Sequence, residues 1–123
     1  MTDEGLRAFK AEQWLKALDL FKHWDVNIAE GCALLGNMDA EEYARFCNDD
    51  TVKLNDELMR RLTLLVLIDE RLMGILNEPQ RRYRWMRAPN DVFDGKSAIE
   101  VMVTSGLAGI EHVHKYLKAL VYR

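Results

Sequence analysis

LNDELMRRLTLLVLIDERLMGIL, residues 54–76, decides the fold. Leu54, Leu58, Leu62, Leu65, Ile68, Leu72, Ile75 and Leu76 return mostly at three- and four-residue spacings, the period of one face of an α-helix. The run Leu64-Leu65-Val66-Leu67-Ile68 thickens that stripe, so the pattern predicts a central helix over about 55–76, buried on more than one side. It is also the longest apolar run in the chain, and it stops at Asp69-Glu70-Arg71, far short of the roughly 20 residues a bilayer crossing takes.

Upstream, Leu6, Phe9, Trp14, Leu15, Leu18, Phe21 and Trp24 trace a second amphipathic helix. Asp25-Val26-Asn27 breaks it, with Asn27 placed to cap a short helix over about 28–35 that Gly36 ends. Beyond Gly36-Asn37-Met38, Asp39 and Glu42 stand in capping-box register at the head of a third helix reaching about Cys47. Downstream, Pro79 suits the first turn of a helix over about 78–86, and Ala88-Pro89-Asn90-Asp91-Val92-Phe93-Asp94-Gly95 reads as a loop. Ser97-Ala98-Ile99-Glu100 is a capping box opening a helix that ends by Ser105-Gly106, and a final helix covers about 107–120. No segment alternates with a strand's period, which gives an all-α class: a single compact domain of about seven helices. Residues 1–53 make one half and 54–123 the other.

The 123 residues are 49% apolar and 30% charged, an ordinary globular balance that excludes disordered and low-complexity classes. The net charge of −3 is unevenly spread: residues 23–59 carry −7 and residues 60–96 carry +3. The acidic start Met1-Thr2-Asp3-Glu4 is unlike a secretory signal, so a cytoplasmic location is expected. Cys32 and Cys47 fall at apolar helical positions without paired spacing and are expected as buried thiols.

No phosphate loop, nucleophile elbow, zinc motif or calcium loop is present. His112 and His114, two apart on a helix, point about 200° away from each other and cannot share a metal. No cofactor, metal site or catalytic role is expected. What remains is chemistry of contact. The two short helices around Gly36-Asn37-Met38 have the outline of a helix-turn-helix, in which the second would enter DNA. That helix offers Asp39, Glu41 and Glu42, with Arg45 as the one possible DNA contact, so a shape kept for packing or dimerisation is favoured. Covering the rings of Trp14, Phe21 and Trp24 is a reason to expect a homodimer through this half. Arg81-Arg82-Tyr83-Arg84-Trp85-Met86-Arg87 gathers the residue types that anchor protein interfaces. The alternative is that Trp85 and Met86 pack inward while the arginines coat the surface.

Together, Arg61-Leu62 leading into Leu64–Ile68 and Leu72, Trp85-Met86-Arg87-Ala88-Pro89-Asn90, Phe93-Asp94-Gly95-Lys96-Ser97-Ala98, and Gly106-Leu107 with Val113, Tyr116 and Leu117 resemble the Xre/MbcA/ParS antitoxin family. The resemblance covers about residues 14–120 and is strongest after residue 54. It implies a degenerate helix-turn-helix-like N-terminal half packed on a helical toxin-binding half. The implied function is that of the antitoxin in a type II toxin–antitoxin pair, masking the active site of a RES-domain toxin that consumes NAD. The NAD chemistry would then be the partner's. Carried onto this chain, the resemblance implies toxin contacts at Arg82, Trp85, Asn90, His114, Lys118, Tyr122 and Arg123, with the loop from Pro89 to Ser97 as a brace and the last residues as a plug. Members that repress their own operon have a basic recognition helix. The acidic helix 39–47 departs from it, leaving DNA-binding repression as the second reading.

Overall fold

A computed structural model describes residues 2–48 and 54–121. The elements are α1 (Asp3–His23), α2 (Ile28–Leu34), α3 (Ala40–Asn48), α4 (Asp56–Ile75), α5 (Pro79–Arg87) and α6 (Ala98–Val121), with a 3-10 turn at Asp91–Phe93 before α6. The all-α class holds. The helices start where the sequence supplies caps: Asn27 and Glu30 close a reciprocal capping box on α2, Asn55 accepts the Leu58 N–H on α4, and Asp39 accepts the Glu42 N–H on α3. At α6, Ser97 and Glu100 exchange side-chain and backbone bonds of 3.1 and 3.3 Å, and Pro79 occupies the first turn of α5.

Among the described residues six helices stand where the spacing predicts seven, because the last two are joined in one element across a break at Gly106. There the backbone takes φ 62°, ψ −141°, a region left almost wholly to glycine. The chain doubles back so tightly beyond the break that a Cβ on Gly109 would collide with the Val101 carbonyl.

α4 is the axis of the core. Leu62, Leu65 and Ile68 are completely buried, α6 packs on α4, α1 lies against another side of it, and α2 and α5 both meet α6. Its burial on more than one side is as the apolar pattern predicts. The rings of α1, however, are covered by the chain itself. Trp24 and Phe21 lie in the core, while Trp14 sets its edge on Phe46 and donates its indole N–H to the Phe46 carbonyl at 2.7 Å. Those rings therefore give no reason for dimerisation. The large apolar residues left exposed among the described residues of this half are Leu6, Phe9, Leu15 and Ile28. Cys32 and Cys47 are free thiols and only half-buried, since α2 and α3 are too short to enclose them. Burial raises the Cys32 thiol pKa above its ordinary value.

Trp24 and Arg87 are prominent among the residues whose polar bonds tie the halves together. Trp24 donates its indole N–H to Asp69 of α4 at 3.2 Å, and burial holds the Asp69 carboxyl above its ordinary pKa while that hydrogen bond works against the rise. Arg87, at the end of α5, grips Glu30 with two nitrogens at 2.6 and 2.9 Å and donates to the Trp24 and Asp25 carbonyls. Among the described residues, no helix is long and apolar enough to cross a membrane.

Candidate functional site

The nine residues of α5 carry four arginines and two aromatics, six large side chains that one helix cannot all bury. Met86 faces inward with Arg82, four residues earlier on the same side. Arg82 is consequently turned into the structure: its guanidinium donates to the carbonyls of Leu76 and Asn77 at 2.9 and 2.8 Å, satisfying the frayed end of α4. Its work in this chain is to close the α4–α5 corner. Tyr83 and the arginines Arg81 and Arg84 point to solvent.

Trp85 sits between these faces, half-buried. Its ring lies flat on Tyr116 of α6, with centroids 6.4 Å apart and planes 7° from parallel, and its edge meets Phe93 at 6.3 Å. Phe93, buried at the centre, also touches Tyr116 at 5.6 Å and His112 at 5.5 Å. The loop that presents Phe93 is organised by Asn90. Its side chain accepts the Val92 N–H, its carbonyl accepts the N–H groups of Phe93 and Gly95, and its own N–H closes the loop on Lys96. Both readings of the arginine-rich segment are thus realised in part: Met86 and Arg82 go inward, while Trp85 remains at the surface edge.

α6 divides the remaining candidates between two sides. His112 and Tyr116 turn toward the loop and α5, whereas His114 turns toward α4. There Arg71 donates its Nε–H to His114 Nε2 at 3.2 Å, which requires that nitrogen to be unprotonated. Burial, then the charges of Arg71, Lys118 and Arg60, hold the His114 pKa below its ordinary value. Arg60 in turn pairs with Glu111 at 2.9 Å. Lys118 is exposed one turn beyond His114. Arg45 is exposed near the end of α3, in the other half of the chain, on a helix that also exposes Glu41 and Glu42. Tyr122 and Arg123 lie outside the described residues.

The structure therefore brings Trp85 and Asn90 together in one aromatic face and puts His114 and Lys118 with a basic strip on the α4 side. Sequence reasoning names His112, Tyr116 and Arg87 without singling them out as contact residues, and it gives Arg71 no role. The four-residue spacing of His112 and Tyr116 is the one local signal that puts two of them on a common face. Among the described residues no group of three or more His, Cys, Asp or Glu side chains gathers in a way that could hold a metal ion. The arrangement offers a rigid aromatic surface bordered by cations, which is chemistry suited to holding another macromolecule.

Residues 57–123 match the family described as the antitoxin Xre/MbcA/ParS C-terminal toxin-binding domain. That span takes in nearly all of α4 and everything after it, including both sides of α6. The chain is also 33% identical over 63 residues to the uncharacterized protein y4oB of Sinorhizobium fredii (strain NBRC 101917 / NGR234). The match takes in 51% of this chain and 49% of that protein, so this chain spans about half the length of the curated relative it matches.

Proposed function

Because this chain belongs to the antitoxin Xre/MbcA/ParS family, we propose that it is the antitoxin of a type II pair and neutralises a RES-domain, NAD-consuming toxin by covering its active site. The observation that carries this reading is that the matched span contains the whole aromatic face of Trp85, Phe93 and Tyr116 together with the basic side of α6. Trp85 and the loop held by Asn90 form a preformed platform; His114 and Lys118, followed by Tyr122 and Arg123, reach toward the toxin's cleft. Arg82 acts behind the surface, fixing the pitch of α5. The protein works as a binding partner and carries no chemistry of its own in this reading. It self-associates through the exposed Leu15 and Ile28 of its N-terminal half.

Co-expression with the product of the adjacent gene, followed by co-purification and measurement of cellular NAD, tests the proposal. A stable complex with NAD loss suppressed is expected. Failure to bind and failure to protect NAD would end it and turn attention to duplex DNA. That second reading has less support, because α3 exposes Glu41 and Glu42 beside Arg45 where phosphates would have to approach. Deleting Tyr122 and Arg123 tests the plug separately: inhibition should weaken while the helical fold is retained.

A further inference from the structure

At the far end of α4, away from the aromatic face, the surface opens into a groove of 620 Å³ between the last turns of α4 and α6. Leu67, Arg71 and Ile75 of α4 and Leu120 of α6 form its walls, and its floor is the bare backbone of Gly74. Gly74 has neither usual reason to be glycine. Its φ is not positive, and among the described residues nothing stands within 4 Å of where a Cβ would be. A glycine at this place costs helix stability and leaves a stretch of exposed backbone open between apolar walls.

The rim describes the occupant. Met73 and Ile75 are exposed large apolar residues at this end of α4, in keeping with the apolar walls. Arg71 on the wall is bonded to His114, and exposed Lys118, one turn along α6, is close enough to help hold the His114 pKa down, so this side carries positive charge. The acid on the wall, Glu70, leans toward Lys16 of α1 at 3.8 Å. All six lining residues fall inside the matched toxin-binding span. We propose that the toxin inserts an apolar side chain onto Gly74 and sets a neighbouring carboxylate on the side that carries Arg71 and Lys118. This makes a second anchor, distinct from the aromatic face, and it rests on the antitoxin reading above. A nucleic acid fits the groove less well, since Leu67, Ile75 and Leu120 make most of its wall and Glu70 also lines it.

The test uses the complex of the full chain with the toxin from the adjacent gene. Gly74→Leu fills the floor without strain on the helix, and should weaken the complex by about tenfold or more, as loss of a well-packed anchor does. Gly74→Ala, too small to block the groove, should bind nearly as the parent does. Lys118→Glu should weaken binding at low salt, with the defect fading as salt rises. Circular dichroism should find all three variants as helical as the parent. If the parent binds toxin and Gly74→Leu binds equally well, the groove is no anchor and the antitoxin reading stands without it. If Gly74→Leu instead changes the mass of the free protein in solution, the groove belongs to a second copy of this chain and the proposal is overturned. If the parent itself binds no toxin, the underlying reading fails and the proposal with it.

Discussion

Trp24, just past the end of α1, is fully buried and gives its indole N–H to Asp69 of the central helix. Trp85, on α5, is half-buried and lies flat against Tyr116, with one face of its surroundings open. The two indoles divide the labour of the molecule. In the N-terminal half, large rings are consumed in supporting α4; in the C-terminal half, they are held at the surface on a rigid backing. Charge follows the same division, with −7 over residues 23–59 and +3 over residues 60–96. The half that is acidic and ring-filled inside supplies the frame. The half that is basic and ring-bearing outside holds the span that matches the toxin-binding domain.

The contrast can be broken most directly by removing each tryptophan. Trp24→Ala should cost about 3–5 kcal/mol, the usual penalty for a buried large ring, and leave the chain close to unfolding in a denaturant titration. Arg87→Ala comes next, at about 2 kcal/mol, since charged hydrogen bonds to Glu30 and to two carbonyls are lost from a partly screened site. This pair also predicts a pH dependence. The Arg87 bond holds the Glu30 carboxyl below its ordinary 4.5. Between that lowered value and 4.5 the unfolded chain carries a proton that the folded chain does not. The stability the pair supplies is therefore complete above pH 4.5 and drains away as pH falls through the lowered value, and Arg87→Ala should flatten that part of the melting curve against pH.

Trp85→Ala should cost less stability than either, about 1 kcal/mol from lost ring contacts, and yet weaken toxin binding far more than Arg87→Ala does. If Trp85→Ala leaves binding intact, the division between frame and contact fails at its central residue. The smallest effect belongs to His114. Its pKa lies below the ordinary 6.5, so the folded chain resists a proton that the unfolded chain accepts; stability is full above pH 6.5 and declines as pH drops below it. His114→Gln should remove that slope while leaving the melting temperature at pH 8 nearly unchanged, which thermal melts at a series of pH values can read.

The frame was far more legible in the sequence than the contact surface. Asn27, Asp39, Ser97 and Pro79 announce helix starts because a cap acts on the three or four residues beside it, and the stripe from Leu58 to Leu72 announces a core for the same local reason. What spacing cannot supply is the identity of a neighbour across the fold. Arg87 and Glu30 are 57 residues apart, and Arg71 and His114 are 43 apart. Arg82 illustrates the limit: among the arginines of α5 it looks as available as Arg81 or Arg84, and only the carbonyls left at the end of α4 decide that it turns inward. Helical periodicity resolves which side of a helix a residue occupies. It does not resolve which side the rest of the chain will cover.

The packing of α1 against α4 bears on how long such a protein lasts in a cell. The span that matches the toxin-binding domain shares its core with the rest of the chain: α1 packs on α4, and buried Trp24 is bonded to Asp69. A protease that unravels the first helix would never need to touch the toxin-binding surface in order to dismantle it. Opening of α1 is thereby expected to precede loss of the rest of the fold, and pulse proteolysis of the complex should find its rate governed by opening of the N-terminal half.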